Sequence, residues 1–274
     1  MYYSLINSMS KTPALDADAL AFITAASITD AIQKSAINTL VKDLKTASIW
    51  TKMKAIYPFV GGTAAQHRFN LKDPRDLNVA YCLDFSGGWT HDYGGVLPNG
   101  TNSYANSYLT PSSSFNTTTF NHLSYYSRTN DDPSNYPYEM GSYSIGANGL
   151  RVRRTGNQGL FFADYPSGTS YKDVSSSSIT SGLGLFIGSQ TGTNIKMYRN
   201  ATVIASNTTA TSSTSQSTYP IYLGTLNGLD VLTANRWSAK KCGFASIGDG
   251  LTDTEVSAFY TAVQNFNTTL SRQV

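Results

Sequence analysis

Charge is scarce in this chain of 274 residues: Asp, Glu, Lys and Arg together make up 14%, against about 25% in an ordinary soluble domain. Hydrophobic residues stand at 40% and aromatics at 12%, so the surface must be covered largely by Ser, Thr, Asn, Gln and Tyr. Such a surface suits proteins that meet water, sugars or neighbouring subunits outside a cell. The net charge is +3, and the densest basic run is "RVRR" at 151–154. Alternate residues of a strand face opposite ways, which splits that run between two faces and argues against a stripe for nucleic acid.

Cysteine is nearly absent. Cys82 and Cys242 pair only if the fold brings them together, and isolated thiols in strand-like segments otherwise read as packing residues. Long apolar runs are also missing: the longest, "ALAFITAA", is too short to span a bilayer. The opening "MYYSLINSMSK" has no basic segment followed by an apolar one, so no cleaved export signal and no membrane partner is expected. Glutamate occurs twice, at Glu139 and Glu255, and histidine three times, at His67, His91 and His122. No H-x-x-x-H, C-x-x-C, G-x-S-x-G or phosphate-loop pattern occurs, which leaves a metal centre, a nucleophile elbow and a nucleotide site without support. Glycosidases need two carboxylates across the scissile bond; Glu255 reads as a helix cap, and Glu139 has no acidic neighbour two or four residues away. No catalytic activity and no cofactor are expected.

What is present falls into three textures. Residues 1–50 form a helical segment. Asp16 or Asp18 caps a short helix through "ADALAFITA", and Asp30 with Gln33 suggests a capping box for a second helix with Ile32, Ala36, Ile37, Leu40, Val41 and Leu44 on one stripe. Residues 51–274 then read as a single sandwich. Strand candidates recur between turn signals at 66–71, 79–85, 121–129, 150–155, 159–165, 182–190, 195–206 and 221–227. The polar runs 110–119, 173–181 and 207–218 read as loops or polar edges. The chain closes with "LTDTEVSAFYTAVQNFNTTL": Thr252 and Glu255 fit a capping box, and Val256, Phe259, Tyr260, Val263, Phe266 and Leu270 line one face. This helix must dock on the sheet that precedes it.

The order "NIKMYRNATVIAS", "IYLGTLN" and "FASIGDGLTDTEVSAFYTAVQNF" resembles concanavalin A-like and laminin G-like domains. There a strand-turn-strand hairpin precedes a short strand, a late strand and a closing helix; Ala201 stands here where the hairpin usually has Gly. Further stretches, "DALAFITAASITDAIQKSAINTLVKDLK", "IWTKMKAIYPFVGGTAAQHRFNLKDPRD" and "SGGWTHDYGGVLPNGTNSYA", look like a module of structural and tail-associated proteins of tailed bacteriophages, crAss-like phages among them. The resemblance implies a concanavalin A-like antiparallel β-sandwich (jelly roll), built into a virion after synthesis in the host cytoplasm. It implies a head fibre, capsid decoration or tail component that meets other virion proteins, forms a homo-oligomer, with a trimer the first expectation by analogy, and touches host surface glycans.

Two stretches carry candidate ligand sites. In "GGWTHDYGG", Trp89, His91 and Tyr93 alternate, so a strand would place them on one face, either as a sugar-stacking surface or as core filling. "LSYYSRT" offers Tyr125, Tyr126 and Arg128 in the same sense. In "TNDDPSN", Asp131, Asp132 and Asn135 supply oxygens for calcium or, equally, the residues of an Asx/Pro turn. The alternatives to a virion adhesin are a carbohydrate-binding module without a structural role and a polysaccharide-degrading enzyme.

Overall fold

The computed structural model describes residues 14–115, 120–164, 172–208, 216–228 and 236–274. Three longer helices are α1 (Ala17–Ala25), α2 (Ala31–Thr46) and α5 (Asp253–Thr269), with single turns α3 (Ala64–His67) and α4 (Pro111–Ser114) between them. The strands are β1 (Met53–Tyr57), β2 (Asp84–Ser86), β3 (Trp89–Asp92), β4 (Gly95–Pro98), β5 (Tyr104–Asn106), β6 (Phe120–Ser127), β7 (Met140–Tyr143) and β8 (Ala147–Arg154). They continue as β9 (Gln158–Asp164), β10 (Lys172–Ser176), β11 (Gly184–Thr191), β12 (Asn194–Arg199), β13 (Thr202–Asn207), β14 (Tyr222–Leu223), β15 (Asn227–Gly228) and β16 (Cys242–Gly248).

Among the described residues two eight-stranded sheets result. The first runs β13-β12-β11-β6-β16-β4-β3, with β1 on β16; the second runs β10-β9-β8-β7-β14-β5-β2, with β15 on β7. All pairings are antiparallel except β15 with β7. Between the sheets lies a core that includes Leu123, Tyr125, Leu150, Val152, Phe161, Phe186, Met197 and Ile247. A Cβ on Gly188 would sit 2.0 Å from the Phe161 ring, so this glycine of β11 is what lets the facing strand's phenylalanine close the sandwich.

The helices form a third layer. Ile37, Leu40, Val41 and Leu44 of α2 and Val256, Phe259, Val263 and Phe266 of α5 share one core with Phe22 of α1 and with Tyr126, Ile187, Tyr198 and Phe244 on the outer side of the first sheet. Each buried Phe contributes roughly 2–3 kcal/mol through area removed from water, so this layer holds the three helices to the sheet. The cap of α5 is a complete box: Thr252 Oγ1 accepts from Glu255 N, and Glu255 Oε2 accepts from Thr252 N at 2.8 Å. That of α2 is only half a box. Asp30 accepts from Gln33 N at 2.8 Å, but the Gln33 amide oxygen turns away to accept from Gly61 N at 2.7 Å.

Several local expectations need correction. Residues 66–71 are not a strand: α3 ends there, and Asn70 is wholly buried, with its side chain bonded to Ile56 N, Lys54 O and Ala80 O. Residues 79–85 hold a 3-10 turn (Asn78–Ala80), with Tyr81 at φ 59°, before β2 begins at Asp84. The run 173–181, read as a loop or polar edge, begins inside β10, the edge strand of the second sheet, and continues as a loop. Residues 1–13 of the helical segment, 116–119 and 209–215 of the polar runs, and Tyr165 of the strand candidate 159–165 lie outside the described residues. Cys82 and Cys242 are both buried and unbridged. No described helix is long and apolar enough to cross a membrane.

Candidate functional site

Because α1, α2 and α5 cover the outer side of the first sheet, the sequence candidates have to be judged by where each strand points them. Tyr125 and Tyr126 are neighbours on β6 and so face opposite ways. Tyr125 enters the core between the sheets, its hydroxyl donating to Lys240 O at 2.6 Å; Tyr126 enters the helical layer, donating to Gln264 Oε1 at 2.9 Å. Both are 1% exposed or less, and neither can stack a sugar. Arg128 is half-buried and donates to Gly94 O, which makes it a loop support.

Trp89 and His91 do share one face of β3, yet that face is occupied. Trp89 meets Phe85 edge-on with centroids 5.2 Å apart, its indole N–H donates to Ser86 O and Tyr104 O, and Phe85 also meets His91 at 4.7 Å. His91 Nδ1 lies 3.0 Å from His67 Nδ1, while His67 Nε2 accepts from Gly62 N. The His67 proton therefore sits on Nδ1 and points at His91, an arrangement between two neutral rings. Burial holds both below the usual histidine range, His67 down to about 3, and a metal between the two Nδ1 atoms would face that proton. Tyr93 lies beyond the strand end and is 74% exposed.

The calcium candidates already have partners in the chain. Asp131 binds Lys240 Nζ, Asp132 lies 3.6 Å from Arg153, and the Asn135 amide reaches Trp237 O. No cluster of three His, Cys, Asp or Glu suited to a metal occurs among the described residues. His122 is buried between Asp249 O and Ser246 Oγ and held near 4 by desolvation, and Glu139 is buried between Val152 N and Ser238 Oγ. These potential acid–base groups have no access to a substrate.

The site-like surface is one that sequence reading passed over. On the second sheet Asp84 pairs with Asn106, and Asn106 with Tyr222, while Ser86 pairs with Tyr104. Their neighbours Phe85, Ala105 and Leu223 point into the core, so this set faces outward, on the side without helices. Tyr104 and Tyr222 stack with centroids 4.7 Å apart and an interplanar angle of 9°. Both are half-exposed, and no hydrogen bond ties either phenol hydroxyl to another described residue. Asp84 is exposed, accepts from Tyr108 O–H at 3.1 Å and pairs with no cation among the described residues.

Local chemistry holds this shelf. Asn99 Oδ1 accepts from Thr101 N, Asn102 N and Ser103 Oγ, which shapes the turn that delivers β5. Asn106 Oδ1 accepts from Tyr108 N, bending the chain into the left-handed region at Tyr108 (φ 56°) so that its ring returns over Asp84. Ser107 Oγ bonds Ile221 O at 2.6 Å and locks β5 to β14. Burial and the neighbouring Asp84 carboxylate push the Tyr108 phenol up; burial with Tyr104, Tyr108 and Asp84 does the same for Tyr222. The shelf thus offers aromatic area, hydroxyl donors, an amide and a carboxylate acceptor. Three adjacent rows at about 4.8 Å spacing span about 10 Å.

No protein-family model matches the chain, and no curated protein sequence matches it. Solved structures do. The binding domain of botulinum neurotoxin serotype D is similar with a TM-score of 0.51 at 12% identity, over 78% of this chain and 52% of that one. Domain 4 of AbnA, a GH43 extracellular arabinanase from Geobacillus stearothermophilus in complex with arabinotriose, aligns with a TM-score of 0.44 at 11% identity over 76% of this chain and 98% of its own. The chain spans about half the length of the neurotoxin domains it matches. At such identities the likeness is one of fold.

Proposed function

We propose that this chain is a non-catalytic glycan-binding β-sandwich, displayed on a bacteriophage particle as a head fibre, capsid decoration or tail component. The observation that carries the glycan reading is the Tyr104–Tyr222 pair beside Asp84, Asn106 and Tyr108 on the sheet face without helices. Aromatic faces stack on sugar C–H groups, and the carboxylate and amide hydrogen-bond sugar hydroxyls. The sandwich it shares with a neurotoxin's binding domain supports a recognition role over catalysis. Assembly as a homo-oligomer, a trimer in the first instance, would let many weak sites act together.

A glycan array with wild type, Tyr222→Ala and Asp84→Asn tests the site. Wild type should bind a set of oligosaccharides, and each variant should lose at least tenfold in affinity with an unchanged circular dichroism spectrum. Absence of wild-type binding, or equal binding by all three, would sink the reading. Trp89 is the wrong probe here, because its truncation removes packing. Mass spectrometry of purified particles tests the virion assignment separately: absence of the chain from the particle ends that part and leaves the glycan part standing.

A further inference from the structure

The same sheet face carries a second feature, at the β8–β9–β10 end and independent of the tyrosine shelf. Arg151 of β8 pairs with Leu160 of β9, which pairs with Ser175 of β10, so the three stand in one row. They border a cavity of about 190 Å³ whose wall also includes Gln158, Ser176 and Ser177. Arg151 is only 7% exposed. Its Nε donates to Pro137 O at 3.0 Å, but no hydrogen bond to a described residue engages either Nη group.

Among the described residues no carboxylate forms an ion pair with this cation; the buried Glu139 lies near it but is bonded elsewhere. The arginine ion pairs among the described residues join Arg68 to Asp76, Arg75 to Asp73 and Arg153 to Asp132. Arg151 instead stacks on Tyr138, its guanidinium carbon 4.3 Å from the ring centroid, while Arg154 covers Tyr136 at 4.1 Å and Arg236 approaches Tyr138 at 5.9 Å. Glu139, two residues from Pro137, spends its oxygens on Val152 N and Ser238 Oγ. A guanidinium this far out of water without an anion is costly, and stacking on tyrosine offsets only part of that cost. Three arginines on two tyrosine rings also make the local field positive.

We propose that this cavity is an oxyanion site. A carboxylate, sulfate or phosphate group enters it, takes the two free Nη groups of Arg151 in the bidentate geometry that guanidinium favours, and receives further hydrogen bonds from the Ser175 and Ser177 hydroxyls and the Gln158 amide. The group is either a free inorganic anion or the charged substituent of an acidic sugar.

Sodium sulfate, titrated at constant ionic strength against sodium chloride, should raise the melting temperature of the intact chain saturably, since a ligand that binds only the folded state stabilises it. Calorimetric titration with glucuronate and with glucose then separates the sources: binding of glucuronate but not glucose assigns the site to an acidic sugar, whereas sulfate binding without glucuronate binding assigns it to a free anion. Two variants guard the result. Arg151→Gln removes the cation, and Ser175→Asp, at an exposed position, sets a carboxylate at the mouth without touching the stack on Tyr138. Each should weaken sulfate at least tenfold. A sulfate response no greater than that of chloride, or one that persists in both variants, overturns the proposal.

Discussion

Glu139 is a carboxyl group with no exposure, next to β7, and the fold treats it as a neutral residue. Val152 N donates to Oε2 at 2.6 Å and Ser238 Oγ lies 3.1 Å from Oε1. Those two contacts favour the charged form, with help from the nearby Arg151, but desolvation outweighs them and pushes the group from 4.5 up to about 7. The folded state therefore holds this proton more tightly than the unfolded chain does. The stabilisation is complete below pH 4.5 and is lost as the pH rises through 7. The gap between 4.5 and about 7, at about 1.4 kcal/mol per pH unit, amounts to about 3 kcal/mol. Glu139→Gln keeps an oxygen for Val152 N and an N–H for Ser238 Oγ while removing the charge. Urea unfolding at pH 4.5, 6 and 8 should find the variant within about 1 kcal/mol of wild type at the lowest pH and more stable by up to about 3 kcal/mol at the highest. His122, held near 4 by burial, loses stability in the opposite direction as the pH falls from 6.5 towards 4. It contributes equally to both proteins and cancels in the difference. A wild type that matches or exceeds the variant at pH 8, or a difference independent of pH, would refute the argument.

The C-terminal tail offers a sharper loss. Arg272 is buried and gives its N–H groups to Asn267 Oδ1, Phe59 O, Tyr93 O, Pro58 O and Gly243 O, so Arg272→Met should cost about 3–5 kcal/mol in urea unfolding, and a cost below 1 kcal/mol would show that the latch is idle. Thr252→Ala removes the hydroxyl half of the α5 capping box and should lower stability by about 1 kcal/mol, measured in the same way. In the β12–β13 hairpin Asn200 and Ala201 both have positive φ, 49° and 63°; Ala201→Gly relieves the second and should raise stability by about 0.5–1 kcal/mol, visible as a higher melting temperature, whereas a fall would mean that the lost methyl packing dominates.

The parts of this molecule that announce themselves in the sequence are those governed by local periodicity. The stripe of α2 and the capping box of α5 are short-range patterns, and both helices lie where those patterns place them. The long strands β6, β8 and β11 are legible from the turn signals that bound them, although β8 and β11 are buried almost continuously rather than on alternate residues. Residues 66–71 mislead because their shape is set by the buried Asn70, which bonds Ile56 N, Lys54 O and Ala80 O, a contact invisible until β1 is in position. Arg272 follows a residue with positive φ, Ser271 at 54°, which turns the end of the chain back so that its guanidinium reaches Phe59 O, Pro58 O and Gly243 O, a contact no local pattern announces. Tyr125 and Tyr126 fail as a site for a reason the sequence contains: adjacent strand residues face opposite sides, and in a three-layer fold both sides of β6 are interior.

The same layering bears on the proposed binding surface. The helices cover the middle of the first sheet on its outer side, so the proposed glycan surface uses the outer side of the second, and its residues are brought together by cross-strand register rather than by sequence proximity. Part of the shelf was within reach. "YANSY" spaces Tyr104, Asn106 and Tyr108 two apart around the core residue Ala105, the period of a strand with an aromatic and amide side turned outward. Its partners Asp84 and Tyr222 arrive from segments 22 residues before and 116 residues after Asn106, and no window of sequence contains all three. Arg151 and Ser175 are related in the same way, through Leu160 on the strand between them. A sheet face assembled from distant strands can therefore change its ligand by single substitutions in any one of them while the helical layer behind the first sheet, and with it the fold, stays intact.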